Sequence, residues 1–194
     1  MRDIRSVCVY CGAAGAVAQV HRDAAAGLGR LLAEAGVTLV YGGGKVGLMG
    51  LMADAALAAG GRVIGIIPES LVRLEVGHGG ASELIVVSDM HARKQRMFEL
   101  SDAFAVLPGG LGTLDETFEM LTWKQLRFHD KPIVVVDVAG FWQPFLALVE
   151  AQIAAGFVRP AHRGLMTVVD SVEAVLPACR EAPPGDIAAD AKWK

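Results

Sequence analysis

A chain of 194 residues, 53% hydrophobic and 20% charged, is long enough to bury the core of one domain. Its net charge of -3 and its lack of a basic stripe argue against nucleic acid as a partner. No apolar run approaches the length of a membrane span, the start Met1-Arg2-Asp3-Ile4 lacks a signal-peptide pattern, and the three cysteines are too sparse for a disulfide framework, so a reducing, cytoplasmic setting away from membranes is expected.

The first predicted element is a β-rich run over 6–10, of the kind buried in the middle of a parallel sheet. A loose turn of small residues at 11–15 leads to an Ala- and Leu-rich helix over 17–35, closed by Gly36. Strand 37–41 runs into Gly42-Gly43-Gly44 and a helix over 46–59. Strand 62–67 ends at Pro68, and residues 73–82, with their glycines, read as a loop. Strand 83–88 precedes a helix over 90–100. Strand 103–107 is followed by Pro108, a glycine turn and a helix to about residue 127. Strand 132–138, helix 141–155, strand 165–169 and helix 172–180 complete the order. Residues 1–181 thus form one domain, and 182–194, with Pro183-Pro184-Gly185, a flexible tail.

This alternation specifies right-handed β-α-β units. The fold class is α/β: a single-domain Rossmann-like fold, with a parallel sheet of about six or seven strands covered on both faces. Ligands of such sheets bind beyond the carboxyl ends of the strands. The turns at 11–15, 42–47, 88–94 and 108–116 all follow strands, so they are expected to gather at one edge.

The turn at 108–116 carries the strongest chemistry. Gly109, Gly110 and Gly112 precede a helix start, where free backbone N–H groups and the helix dipole favour an anion. Thr113 is a candidate N-cap, with Glu116 at capping-box spacing. Asp115 and Glu116 bring two carboxylates to the same turn. Arg93 and Lys94 open another helix, where cations are disfavoured unless an anion is near. A pairing of Arg93 with Glu116 would offset the cost of a carboxylate beside a phosphate. Gly42, Gly44 and Gly47 match the spacing of a dinucleotide-binding turn, with Glu69 as a possible ribose contact. That turn follows the second strand, however, and serves equally as a tight crossover. Cys8 and Cys11 have redox-pair spacing, but Cys8 lies within a strand and no second pair completes a metal site. His21, His78, His129 and His162 are scattered and read as surface or core residues.

Pro108-Gly109-Gly110-Leu111-Gly112-Thr113-Leu114-Asp115-Glu116 resembles the signature of the Lonely Guy family. Met90-His91-Ala92-Arg93-Lys94 is similar to its companion motif, and Tyr41-Gly42-Gly43-Gly44 with Gly47-Leu48-Met49-Gly50 to its second glycine turn. Thr122-Trp123-Lys124-Gln125-Leu126 and His129-Asp130-Lys131-Pro132 extend the likeness. At Cys11-Gly12-Ala13-Ala14 the chain departs from the serines common in the family.

The resemblance implies a phosphoribohydrolase that cleaves the N-glycosidic bond of an N6-modified adenosine 5′-monophosphate, a cytokinin nucleotide or AMP. It implies Glu116 and Arg93 as catalytic residues. Lys94, Met90, Gly43, Gly44, Gly109, Gly110, Gly112 and Thr113 would bind substrate. It also implies a homodimer with shared active sites, and neither metal nor cofactor. The rival readings are a nucleotide or cofactor carrier with the same fold, and a dinucleotide-dependent oxidoreductase resting on residues 42–47.

Overall fold

A computed structural model of the chain describes residues 1–75 and 77–183. Seven strands form one parallel sheet: β1 (Ser6–Tyr10), β2 (Thr38–Tyr41), β3 (Val63–Pro68), β4 (Glu83–Val87), β5 (Ala103–Val106), β6 (Ile133–Val136) and β7 (Thr167–Val169). Their order across the sheet is β4-β3-β2-β1-β5-β6-β7. The chain builds outward from β1 in one direction, then returns to its other side with β5. The reversal between β1 and β5 is the switch point, where the two following loops diverge and leave a crevice.

Side-chain alternation along β1 divides the core into two layers. Val7 and Val9 face the layer formed by α1 (Gln19–Glu34), α2 (Gly47–Ala58) and α7 (Val175–Glu181). Cys8 and Tyr10 face the layer of α4 (Met90–Glu99), α5 (Leu111–Gln125) and α6 (Gln143–Ala154). The alternation is the two-residue period of a strand, and the continuous apolar run reflects burial on both faces. In α1, Ala25, Leu28 and Leu32 recur at helical spacing and are fully buried. Each large side chain so buried contributes ~1.5–3 kcal/mol through loss of apolar surface from water.

The expected architecture is present, with local differences. A seven-residue helix, α3 (Glu69–Glu75), follows Pro68 where no helix was expected, and takes in residues 73–75 of the expected loop. Pro68 ends β3 and Glu69 places an acid in the first helical turn, which suits the helix dipole. The sixth helix starts later than residue 141. A 3₁₀ turn at Val138–Gly140 intervenes, and the Trp142 backbone N–H donates to Asp137 Oδ1 at 2.6 Å. Strand β7 is shortened because Pro160–Leu165 forms a second 3₁₀ segment. Of the tail expected over 182–194, residues 184–194 lie outside the described residues. Among the described residues, no helix is long and apolar enough to cross a membrane.

Candidate active site

The crevice at the switch point is a cavity of about 450 Å³, within the size range of small-molecule sites. The turn after β1 (11–14), Gly42 after β2, the start of α4 and residues 108–116 all contribute to its wall. The four turns expected at one edge do meet there.

One end of the cavity is built to receive an anion. Helix α5 begins at Leu111, with Gly110 as N-cap and no side chain capping it. The first backbone N–H groups of that turn have no intrahelical acceptor. Thr113 therefore sits inside the first turn rather than before it, and the capping box expected between Thr113 and Glu116 is not formed. The cause is the glycine pair, which lets the helix start three positions earlier than a threonine cap would. The Thr113 side chain lies directly over Gly109, so that a Cβ at 109 would collide with it. Thr113 is itself buried, and its carbonyl accepts the Thr117 hydroxyl at 2.6 Å.

Arg93 enters from α4. Asp89 caps that helix, its Oδ1 accepting the Ala92 N–H at 2.9 Å, and puts negative charge where the dipole is positive. The buried Arg93 guanidinium donates from Nε to the Ile66 carbonyl at 3.2 Å and from Nη2 to the Gly42 carbonyl at 3.1 Å. Strand β3 and the turn after β2 thus fix its plane. Gly42 is required for this: a Cβ there would occupy the place of the guanidinium itself. Arg93 makes no direct ion pair with Glu116 among the described residues; the two act on one another through space in the same cavity.

Lys94 does something else. Its Nζ lies 3.2 Å from Asp115 Oδ2 and 3.1 Å from Glu119 Oε1. Burial alone would lower the ammonium, but the bonds to Glu119 and Asp115 outweigh it and leave Lys94 above its ordinary value. The anions that the cationic start of α4 called for are, for Lys94, carboxylates of α5. Lys94 is not part of the cavity wall.

Glu116 is the most unusual group of the set. Its side chain lines the cavity, is only 8% exposed and accepts no hydrogen bond among the described residues. Burial raises its carboxyl to about 7; Arg93 pulls it down, Asp115 pushes it up, Lys94 pulls it down and Glu119 pushes it up. A carboxyl poised near neutrality, unpartnered and facing a cavity, is suited to take or give a proton.

Of the other expected site residues, Met90, Gly109, Gly110 and Gly112 line the cavity. Gly43 and Gly44 do not. Gly43 packs on Ile66 and Ile67 and accepts the His78 N–H at 3.0 Å, while Gly44 bridges Gly77. Only Gly42 of that turn reaches the site, and the turn works as a crossover that also holds Arg93. Cys8, Cys11 and Cys179 are buried and free, and burial pushes the thiols of Cys8 and Cys11 far up, which disfavours the reactive thiolate. Sequence reasoning missed the opposite wall: Val17 and His21 of the α1 approach, Leu48 and Met49 of α2, and Phe141. Their signal was placement at or near the start of predicted helices and, for Leu48 and Met49, the second glycine-turn motif.

The family whose sequence model is described as "possible lysine decarboxylase" matches residues 49–179. A cytokinin riboside 5′-monophosphate phosphoribohydrolase from Rhodococcoides fascians is 45% identical over 177 residues, covering 91% of this chain and 89% of the relative. The enzyme of that name from Oryza sativa subsp. japonica is 44% identical over 173 residues, covering 89% and 72%. Among solved structures, molybdenum cofactor carrier proteins from Chlamydomonas reinhardtii and Rippkaea orientalis share 24% identity, with TM-scores of 0.67 and 0.68. They cover 89% and 91% of this chain, and 94% and 95% of their own; at that identity the likeness is one of fold. The signature around Glu116, the extent of the family match and relatives of this identity together mean that the chain belongs to the Lonely Guy family.

Proposed function

We propose that this protein hydrolyses the N-glycosidic bond of an N6-substituted adenosine 5′-monophosphate to the free base and ribose 5-phosphate. The observation that carries this is the joining, in one cavity, of an uncapped helix start with a buried, unpartnered carboxyl near neutrality. The 5′-phosphate would sit on the backbone N–H groups of the first turn of α5. Breaking the bond to the base builds positive charge on the ribose, as in other glycoside hydrolyses. Ionised Glu116 would stabilise that charge and take a proton from the attacking water. Arg93 would keep Glu116 partly ionised and orient the substrate. It is always protonated, and so unsuited to give up a proton. Lys94 would hold Asp115 and Glu119, stiffening the helix pair that carries both charged motifs.

A carrier would gain nothing from Glu116, since a buried carboxylate beside a phosphate weakens binding. A decarboxylase acting through a lysine Schiff base is disfavoured because no lysine lines the cavity among the described residues. The expected outcome is release of base from isopentenyl-AMP and from AMP, with the corresponding nucleosides turned over at least ~100-fold more slowly because they lack the anion that the helix start holds. Product chromatography on the four substrates checks this. Equal rates with and without the phosphate would overturn it.

We also infer a cytoplasmic homodimer whose two chains share active sites. Exposed Leu111, Phe118 and Phe128, on and just after α5, support the dimer, because such apolar surface favours a partner. Light scattering at micromolar concentration is expected to give twice the chain mass; a monomer mass would refute it.

A further inference from the structure

The chemistry proposed above assigns groups to the phosphate, the ribose and the water, but none to the departing base. A purine leaves poorly as an anion, so a proton must reach its ring as the bond breaks. Most of the polar side chains that face the cavity are committed. Arg93 cannot release a proton, and its donors point at two carbonyls. Asp115 is held by Lys94, and the Cys11 thiol is deeply buried. Glu116 serves the water. One proton-transferring side chain remains.

That side chain is His21, in the first turn of α1 and on the wall reached through Ala13, Ala14 and Val17. Among the described residues its imidazole forms no hydrogen bond, and its buried Nδ1 has no partner. A buried ring nitrogen left unsatisfied carries a free-energy cost. The ring is nonetheless held in place. It stands edge-on to Phe141, with centroids 5.4 Å apart, and Phe141 stands edge-on to the buried Trp142 at 4.9 Å. Trp142 is in turn anchored through its backbone to Asp137. An aromatic chain therefore presents an idle imidazole to a cavity whose neighbouring wall is apolar. This suits the flat face of a purine.

Resting on the function proposed above, we propose that His21 is the leaving-group acid of this site. As the C1′–N9 bond breaks, its electron pair passes to the purine, and the imidazolium delivers its proton to the ring at N7. The water oxygen bonds to C1′ and its proton goes to Glu116. The base leaves neutral, the sugar leaves as ribose 5-phosphate, and solvent returns a proton to His21 and takes one from Glu116. Histidine is the side chain most often given such a transfer.

The test uses two substrates. Isopentenyl-AMP needs its base protonated; 4-nitrophenyl ribofuranoside 5-phosphate does not, because nitrophenolate is stable as an anion. His21→Gln is expected to lower kcat/KM for the first by ~100-fold or more and to leave the second within a few-fold of wild type. His21→Phe, which keeps an aromatic ring against Phe141, is expected to show the same selective loss. Equal losses on both substrates, or none on either, would overturn the proposal by making His21 a packing residue. A wild-type chain inert on both would instead overturn the function itself.

Discussion

Glu116→Gln is expected to abolish turnover and, at pH 8, to make the protein more stable. The two effects have one origin. The carboxyl is raised by burial from 4.5 to about 7, so the folded state holds its proton more tightly than the unfolded chain does. The stability this contributes is complete below the unfolded value. It is lost as pH rises from about 4.5 to about 7, and is gone above that. The shift corresponds to ~3 kcal/mol of penalty borne by the wild type at alkaline pH. Glutamine carries no charge to bury, so its advantage should be small near pH 4.5 and should grow to a plateau of ~3 kcal/mol above pH 7. Urea unfolding of both proteins between pH 4.5 and 8.5 measures this directly. Turnover should fall by ~1,000-fold or more, since both charge stabilisation and proton transfer are removed. A variant with near-normal activity would move the chemistry to Asp115 or Glu119. A stability difference that did not grow with pH would mean that Glu116 is not buried as a charge.

Arg93 offers the second large effect, and two substitutions divide its roles. Arg93→Lys keeps a positive charge but cannot span the carbonyls of Ile66 and Gly42, both of which would lose a donor. Activity should drop by ~100-fold through misplacement of the cation, while the acid limb of the pH–rate profile stays near that of the wild type. Arg93→Met removes the charge as well. Because Arg93 is the largest influence drawing Glu116 downward, its loss should raise the Glu116 carboxyl further and shift the acid limb to higher pH. Steady-state rates across pH 5 to 9 test both. Identical profiles for the two variants would mean that Arg93 acts by position alone.

Much of this was legible in the sequence because the fold obeys simple periodicities. The strand over 6–10 was correct to the residue, and the other strands and the long helices were correct to within a few positions, since runs of Val, Ile and Ala between glycines leave little choice. The convergence of Gly109–Thr113, Arg93 and Glu116 followed from topology: each comes after a strand of a parallel sheet. What sequence could not show was competition between local motifs. Thr113 and Glu116 fit a capping box, yet the glycines before them were a better helix start, and a change of three residues released Glu116 from the backbone. Lys94 sits beside Arg93 in sequence, but successive helical residues point about 100° apart, so one faces the cavity and the other meets Asp115 and Glu119. The His21 and Phe141 wall was hidden because its members lie 120 positions apart and come together only through the packing of α1 on the turn after β6.

The guanidinium of Arg93 is gripped by two main-chain carbonyls rather than by side chains. Main-chain atoms are the same whatever residue supplies them, so ordinary substitution at positions 42 and 66 cannot delete that grip; it can only obstruct it. The wall made of Ala13, Ala14 and Val17 has no such insurance, and also no such duty, because it carries neither the charged set nor the ring that holds His21. The molecule is therefore divided into a half that resists drift and a half free to vary. Attempts to retune it toward bulkier or smaller bases belong on the second half, where redesign leaves the reactive charges undisturbed.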